Sequence, residues 1–113
     1  METSILKTIR EMIGPSASYD VFDTNLITHI NSAFARLCEL GVGPEQPFRI
    51  QDDTAEWTDF MDADQMHPGV KDYIYLKVSL IFDPPASATV ANLYKEELEK
   101  LEWTLKENAR FGY

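Results

Sequence analysis

The chain is poor in the residues from which nucleophilic and metal sites are made. Its 113 residues include one cysteine, Cys38, and two histidines, His29 and His67. A single thiol excludes an intrachain disulfide framework and suits a reducing compartment. Cys38 lies beside Leu37 in a helical apolar pattern, which predicts a buried, inert thiol. Neither histidine has a partner at catalytic or ligand spacing: His29 sits one step from an apolar stripe, and His67 opens a His-Pro-Gly turn. Phosphate loops, zinc spacings and haem motifs are missing. The Gly-x-Gly of Gly41-Val42-Gly43-Pro44 neither follows a strand nor opens a helix, so it is no dinucleotide fingerprint. Asp62, Asp64 and His67 imitate the start of a calcium loop, without the glycine and terminal glutamate such a loop needs. No metal, no cofactor and no catalytic group are expected.

Long apolar runs are also lacking. The most apolar stretch, residues 70–82 (VKDYIYLKVSLIF), is too short to span a bilayer, which takes roughly 20 apolar residues as a helix. No N-terminal run has the length and basic flank of a signal peptide, so synthesis in the cytoplasm and no membrane association are expected. Bases are scarce: 10 Lys and Arg stand against 19 Asp and Glu, for a net charge of −9. The surplus is uneven. Residues 45–64 hold Glu45, Asp52, Asp53, Glu56, Asp59, Asp62 and Asp64, with Arg49 the only base. Such a surface repels phosphate backbones and disfavours ordinary nucleic-acid binding. It is either a solvated loop kept soluble by charge or a functional acidic surface.

What is present reads as helices around residues 70–82. At period two, Ile74, Leu76, Val78, Leu80 and Phe82 share a face. At period 3.6, Val70, Tyr73, Ile74, Lys77, Val78, Ile81 and Phe82 do, with Asp72 and Ser79 opposite. A strand needs partners for its backbone, and the only other extended-looking stretch is residues 47–51, so a helix buried on most sides is expected. Upstream, Ser4 caps a helix carrying Ile5, Leu6, Ile9, Met12 and Ile13, which Gly14-Pro15 ends. A second helix from Asp20 or Asp23 to Gly41 presents Leu26, Ile27, Ile30, Ala33, Phe34, Leu37 and Leu40, with Thr28, Asn31, Ser32 and Glu39 off that stripe. Arg36 can pair with Glu39 on its surface. Residues 46–51 read as extended, with Phe48 and Ile50 to one side. Asp53 or Thr54 then caps a short helix through Met61. Its Trp57 and Phe60 either anchor it to the core or form a partner-facing hot spot.

Ser87 caps the last and longest helix, from Ala88 to about Asn108. Val90, Tyr94, Glu97/Leu98, Leu101 and Leu105 make its seam. Lys95–Glu99, Glu96–Lys100 and Glu102–Lys106 are spaced as ion pairs. Trp103 lies off the seam, to be covered by the N-terminal helix or offered to another subunit. The tail Arg110-Phe111-Gly112-Tyr113 is either unstructured or a docking element. The expected fold is all-α: a small single-domain bundle of about four to five helices over residues 1–113. It has a long C-terminal helix, one irregular acidic loop, and residues 106–113 as a candidate docking tail. Residue chemistry alone describes a small acidic helical protein for binding or assembly.

Three stretches carry a more specific resemblance: HINSAFARLCELGVGP (residues 29–44), WTDFM (57–61), and VKDYIYLKVSLIFDPP (70–85) followed by ELEKLEWTL (97–105). In this order they resemble the small helical head–tail connector proteins of tailed phages and prophages, the adaptors beneath the portal. The resemblance covers most of the chain, from about Ile5 to Leu105. It implies a structural virion component without enzymatic activity, many copies of which form a ring at the head–tail junction. The ring would dock on the portal protein after DNA packaging and receive a neck or tail-completion protein, the free chain being monomeric or not. DNA would pass through without specific binding, and Asp52, Asp53, Asp59 and Asp62 are candidates to face that channel. Trp57, Phe60, Trp103, Arg110, Phe111 and Tyr113 are candidate interface residues. Two rivals stay open: an acidic helical regulator that occupies a partner's nucleic-acid site through residues 45–64, and a small hydrolase using Asp62, Asp64 and His67.

Overall fold

The computed structural model describes residues 3–15 and 22–111. Five helices follow in order: α1 (Ile5–Ile13), α2 (Asp23–Glu39), α3 (Trp57–Phe60), α4 (Gly69–Phe82) and α5 (Ala88–Phe111). No strand occurs among the described residues. The apolar stretch read as the centre of the chain is α4, and it is the hub. α1, α2 and α5 all pack on it, and α1 also packs on α2. Because neighbours surround α4, Val70, Tyr73, Ile74 and Val78 are fully buried, and even Ser79, placed on the polar side by periodicity, is covered. The cover ends before the helix does. Ile81, on the expected apolar face with Val70 and Ile74, is 57% exposed.

The N-terminus is pinned by polar bonds. Ser4 Oγ accepts from the Lys7 N–H at 3.3 Å, the expected cap. The Ile5 N–H donates to the Ala55 carbonyl and the Trp57 N–H to the Thr3 carbonyl, so residues 3–5 and 55–57 run antiparallel for one bridge. Arg10 pairs with Asp23, joining α1 to the start of α2. Asp20, the other expected start of α2, lies outside the described residues. α2 buries Leu26, Ile30, Ala33, Phe34 and Leu37 as its stripe requires and ends at Glu39, just short of Gly41. Cys38 is only half-buried, its Sγ 3.3 Å from the Glu45 carbonyl.

The segment between α2 and α4 departs most from expectation. Residues 46–51 form no strand; instead Asn31, expected off the stripe, is buried and brackets Ile50. Its Oδ1 accepts from the Ile50 N–H at 2.7 Å, and its Nδ2 donates to the Ile50 carbonyl at 3.0 Å. A side-chain amide carries one acceptor and one donor, so it substitutes for a neighbouring strand. The helix expected from Asp53 or Thr54 begins only at Trp57, capped at Glu56 through a hydrogen bond from the Glu56 N–H to Asp59 Oδ2. Asp52 closes a turn by accepting from the Thr54 N–H, a hydrogen-bonded alternative to starting a helix there. Trp57 and Phe60 take the anchoring role, 5% and 4% exposed. Phe34 collects them and Phe48 into one cluster, with ring centroids 4.8–6.5 Å from its own. Gly43 makes this close approach possible: its φ is +90°, and an added Cβ would sit 2.5 Å from Phe60 Cε1.

Candidate assembly surfaces

α5 is attached along a narrow strip. Leu105 is its one fully buried residue, with Tyr94, Leu98 and Leu101 half-buried; Val90, expected in the seam, is 37% exposed. A polar clasp reinforces the strip. Arg36 of α2 donates to Glu102 of α5 at 3.0 Å through Nη2, and also engages Glu39, as its spacing predicted. The buried Tyr73 hydroxyl of α4 donates to Glu102 Oε2 at 2.7 Å. One carboxylate thus ties three helices together. Burial alone would raise the Glu102 pKa, but hydrogen bonds from Arg36 and Tyr73 outweigh it and hold the carboxyl below its usual range. Burial and the bond to Glu102 push the Tyr73 hydroxyl up, so it remains a protonated donor.

A depressed folded-state pKa adds stability that is complete above the ordinary carboxylate value and is lost as pH falls through the depressed one. Acidification through that window is expected to lower the melting temperature of the wild-type chain. Glu102→Gln should be less stable at neutral pH by about 1–3 kcal/mol, the range for leaving hydrogen-bonding partners under-satisfied. The variant should also lose part of the acid-side slope. Parallel melting curves across pH check this, and superimposable profiles would contradict it.

Glu102 faces inward, so the expected Glu102–Lys106 pair does not form, and neither Lys95–Glu99 nor Glu96–Lys100 closes to an ion pair. The outer side of α5 carries exposed charges of both signs, Glu96, Glu97 and Glu99 as well as Lys95, Lys100 and Lys106, and exposed apolar groups: Trp103 is 67% exposed and Leu93 56%. α1 does not cover Trp103, one of the two positions open to it in the sequence. Arg110 and Phe111, expected in a tail, continue α5, since no glycine or proline stops the helix before Gly112. The Arg110 guanidinium lies 5.0 Å from the Phe111 ring centroid. Gly112 and Tyr113 fall outside the described residues.

The acids of residues 45–64 are all exposed, and some of them are already employed. Asp52 closes its turn, and its bonds from Thr54 hold its carboxyl below the usual range. Asp53 pairs with Lys7 at 3.8 Å, and Asp59 caps α3. The side chains of Asp62 and Asp64 engage nothing among the described residues. Beside them opens an apolar cleft of about 230 Å³ lined by Trp57, Thr58, Met61, Ala63, Met66 and Lys71. Lys71 Nζ stands 5.3 Å from the Trp57 ring centroid. His67 Nδ1 accepts from the Gly69 N–H at 2.9 Å and so serves the start of α4. No group of three or more His, Cys, Asp or Glu side chains placed to hold a metal occurs among the described residues.

Comparison with known proteins reads this arrangement. A family model described as "Phage connector protein" matches residues 5–110, the whole bundle from the first residue of α1 to the last turn of α5. The chain belongs to the phage connector family. Neither the curated proteins nor the solved structures include a match to it. As a phage connector it has a structural role at the head–tail junction. No helix among the described residues is long and apolar enough to cross a membrane.

Proposed function

We propose that this connector assembles as a ring on the portal protein of a filled phage head and receives the neck or tail-completion protein on its far side. The match over residues 5–110 carries the reading. The exposed Trp103 supports it, because a large aromatic on the outside of a well-formed helix is what a subunit contact covers. The net charge of −9 suits a part that DNA passes without being held.

The test is the mass of the purified chain over a concentration range, alone and with its cognate portal. Rings, or a monomer that assembles only on the portal, are expected. A species whose mass ignores both concentration and portal would overturn the proposal and favour the acidic regulator of a nucleic-acid-binding partner.

A further inference from the structure

We propose that α5 is a latched arm. It undocks from α4 as a unit, turning about residues 83–87 while α1–α4 stay folded, and Glu102 is its latch. This goes beyond the ring reading above and does not depend on it. The core shows why the rest stands without α5. Every buried residue of the hydrophobic core except Leu105 belongs to α1–α4 or to the segments between them. α5, the longest helix at 24 residues, gives the core that one fully buried side chain.

The attachment is short and lies in the middle of the helix. Residues 86–90, through the first turn of α5, are all exposed. Leu98, Leu101 and Leu105 are the α5 side chains packed against the core. Leu101 lies over Gly69 at the start of α4, where an added Cβ would stand 3.1 Å from Leu101 Cδ2. Past Leu105, clefts of about 490 Å³ and 270 Å³ open beside Lys106, Asn108 and Ala109, next to the turn at Gly41. Docking therefore buries a strip, and undocking exposes far less apolar surface than unfolding does.

The two ends of the device are also present. Pro84 and Pro85 lack the N–H through which α4 could continue into α5, so the helices are separate bodies joined by a pivot. Residues 94–107 are mostly Glu, Lys and Leu, strong helix formers, and Lys95–Glu99 and Glu96–Lys100 are spaced to support the helix from its own surface. At the latch, Glu102 accepts from Arg36 of α2 and from the Tyr73 hydroxyl of α4. Both partners lie outside α5, so these bonds exist only while the arm is docked. The device covers or uncovers the Tyr73 side of α4 by moving one helix.

Residue-resolved hydrogen exchange of the full chain, followed by NMR in low urea, tests the arm. The amides of α5 are expected to exchange through one shared opening, at least about tenfold faster than the slowest amides of α2 and α4. Ile9→Val, a small core change in α1, should speed those slowest amides by about threefold to tenfold and leave α5 unchanged. It weakens α1–α4, which the opening of the arm leaves folded. Glu102→Gln should speed α5 by about fivefold to a hundredfold, and the slowest amides with it, because every opening starts from the docked state.

α5 amides as slow as those of α2 and α4, and moving with them in Ile9→Val, would make the helix part of one cooperative fold. Protection that fades residue by residue toward either end of α5 would mean fraying in place of a unit. Either outcome overturns the arm. Exchange of α5 untouched by Glu102→Gln overturns the latch. None of these results bears on assembly with the portal, which the mass measurement above decides.

Discussion

Phe34→Ala is expected to destabilise the chain by about 3–5 kcal/mol, the range for truncating a buried phenylalanine. Phe34 is 1% exposed, and its ring is the shared neighbour of Phe48, Trp57 and Phe60. The side chain belongs to α2, but two of its three ring partners belong to α3 and the third to the irregular segment before it. Removing it opens a cavity at the junction and takes away three aromatic contacts, each worth about 0.5–1.5 kcal/mol beyond area burial. Partial collapse will recover some of this, since Phe48 is only half-buried and has room to move. Denaturant unfolding should show a lower midpoint with an unchanged slope. Hydrogen exchange should speed up first in residues 48–60, where the lost contacts lie. A loss below about 1 kcal/mol, the scale of an ordinary surface change, would mean that the cluster does not hold this segment.

Asn31→Ala should cost about 2–5 kcal/mol by a different route. Two backbone groups of a buried residue, the Ile50 N–H and carbonyl, lose their partner at once, and each unsatisfied group costs about 1–3 kcal/mol. Asn31→Asp is the informative companion. It keeps an acceptor for the N–H but sets a second carboxylate oxygen against the Ile50 carbonyl, so it should not rescue stability. The amide of Ile50 should be protected from exchange in the wild-type chain and exposed in Asn31→Ala. Persistent protection would show that the bracket is incidental.

Both substitutions act on the part of the chain that the sequence described least well. The four longer helices were legible because their signals are local. Apolar residues recur at three- and four-residue spacing in α1, α2 and α4, Ser4 and Ser87 stand at their caps, and Gly14-Pro15 and Asp83-Pro84-Pro85 stop what precedes them. The choice of helix for residues 70–82 also followed from sequence, since a strand needs partners and only the short stretch of residues 47–51 looked extended. α3 was harder: Asp53 and Thr54 look like caps, yet Asp52 closes a turn on Thr54, and the capping falls to Glu56 and Asp59. Competition among polar residues of equal local merit is settled by what the backbone meets, here Thr3 and Ile5 across the bridge.

The candidate surfaces divide in the same way. Trp103 could be seen to leave the α5 seam, because facing is a property of one helix. Its exposure could not, because that depends on where α1 ends up. Glu102 and Asn31 were the residues missed. Glu102 looked like half of a surface pair with Lys106, and Asn31 like a solvent-facing position, because helical spacing reports neighbours on one helix and says nothing of Arg36, Tyr73 or Ile50. The sequence by itself determined an acidic all-α chain, organised on residues 70–82, with the motifs of a phage connector. Only the tertiary structure decided which polar groups are spent inside and which charges remain outside. Periodicity repeats every few residues, whereas these partners are brought together across separations of 19 to 66 residues.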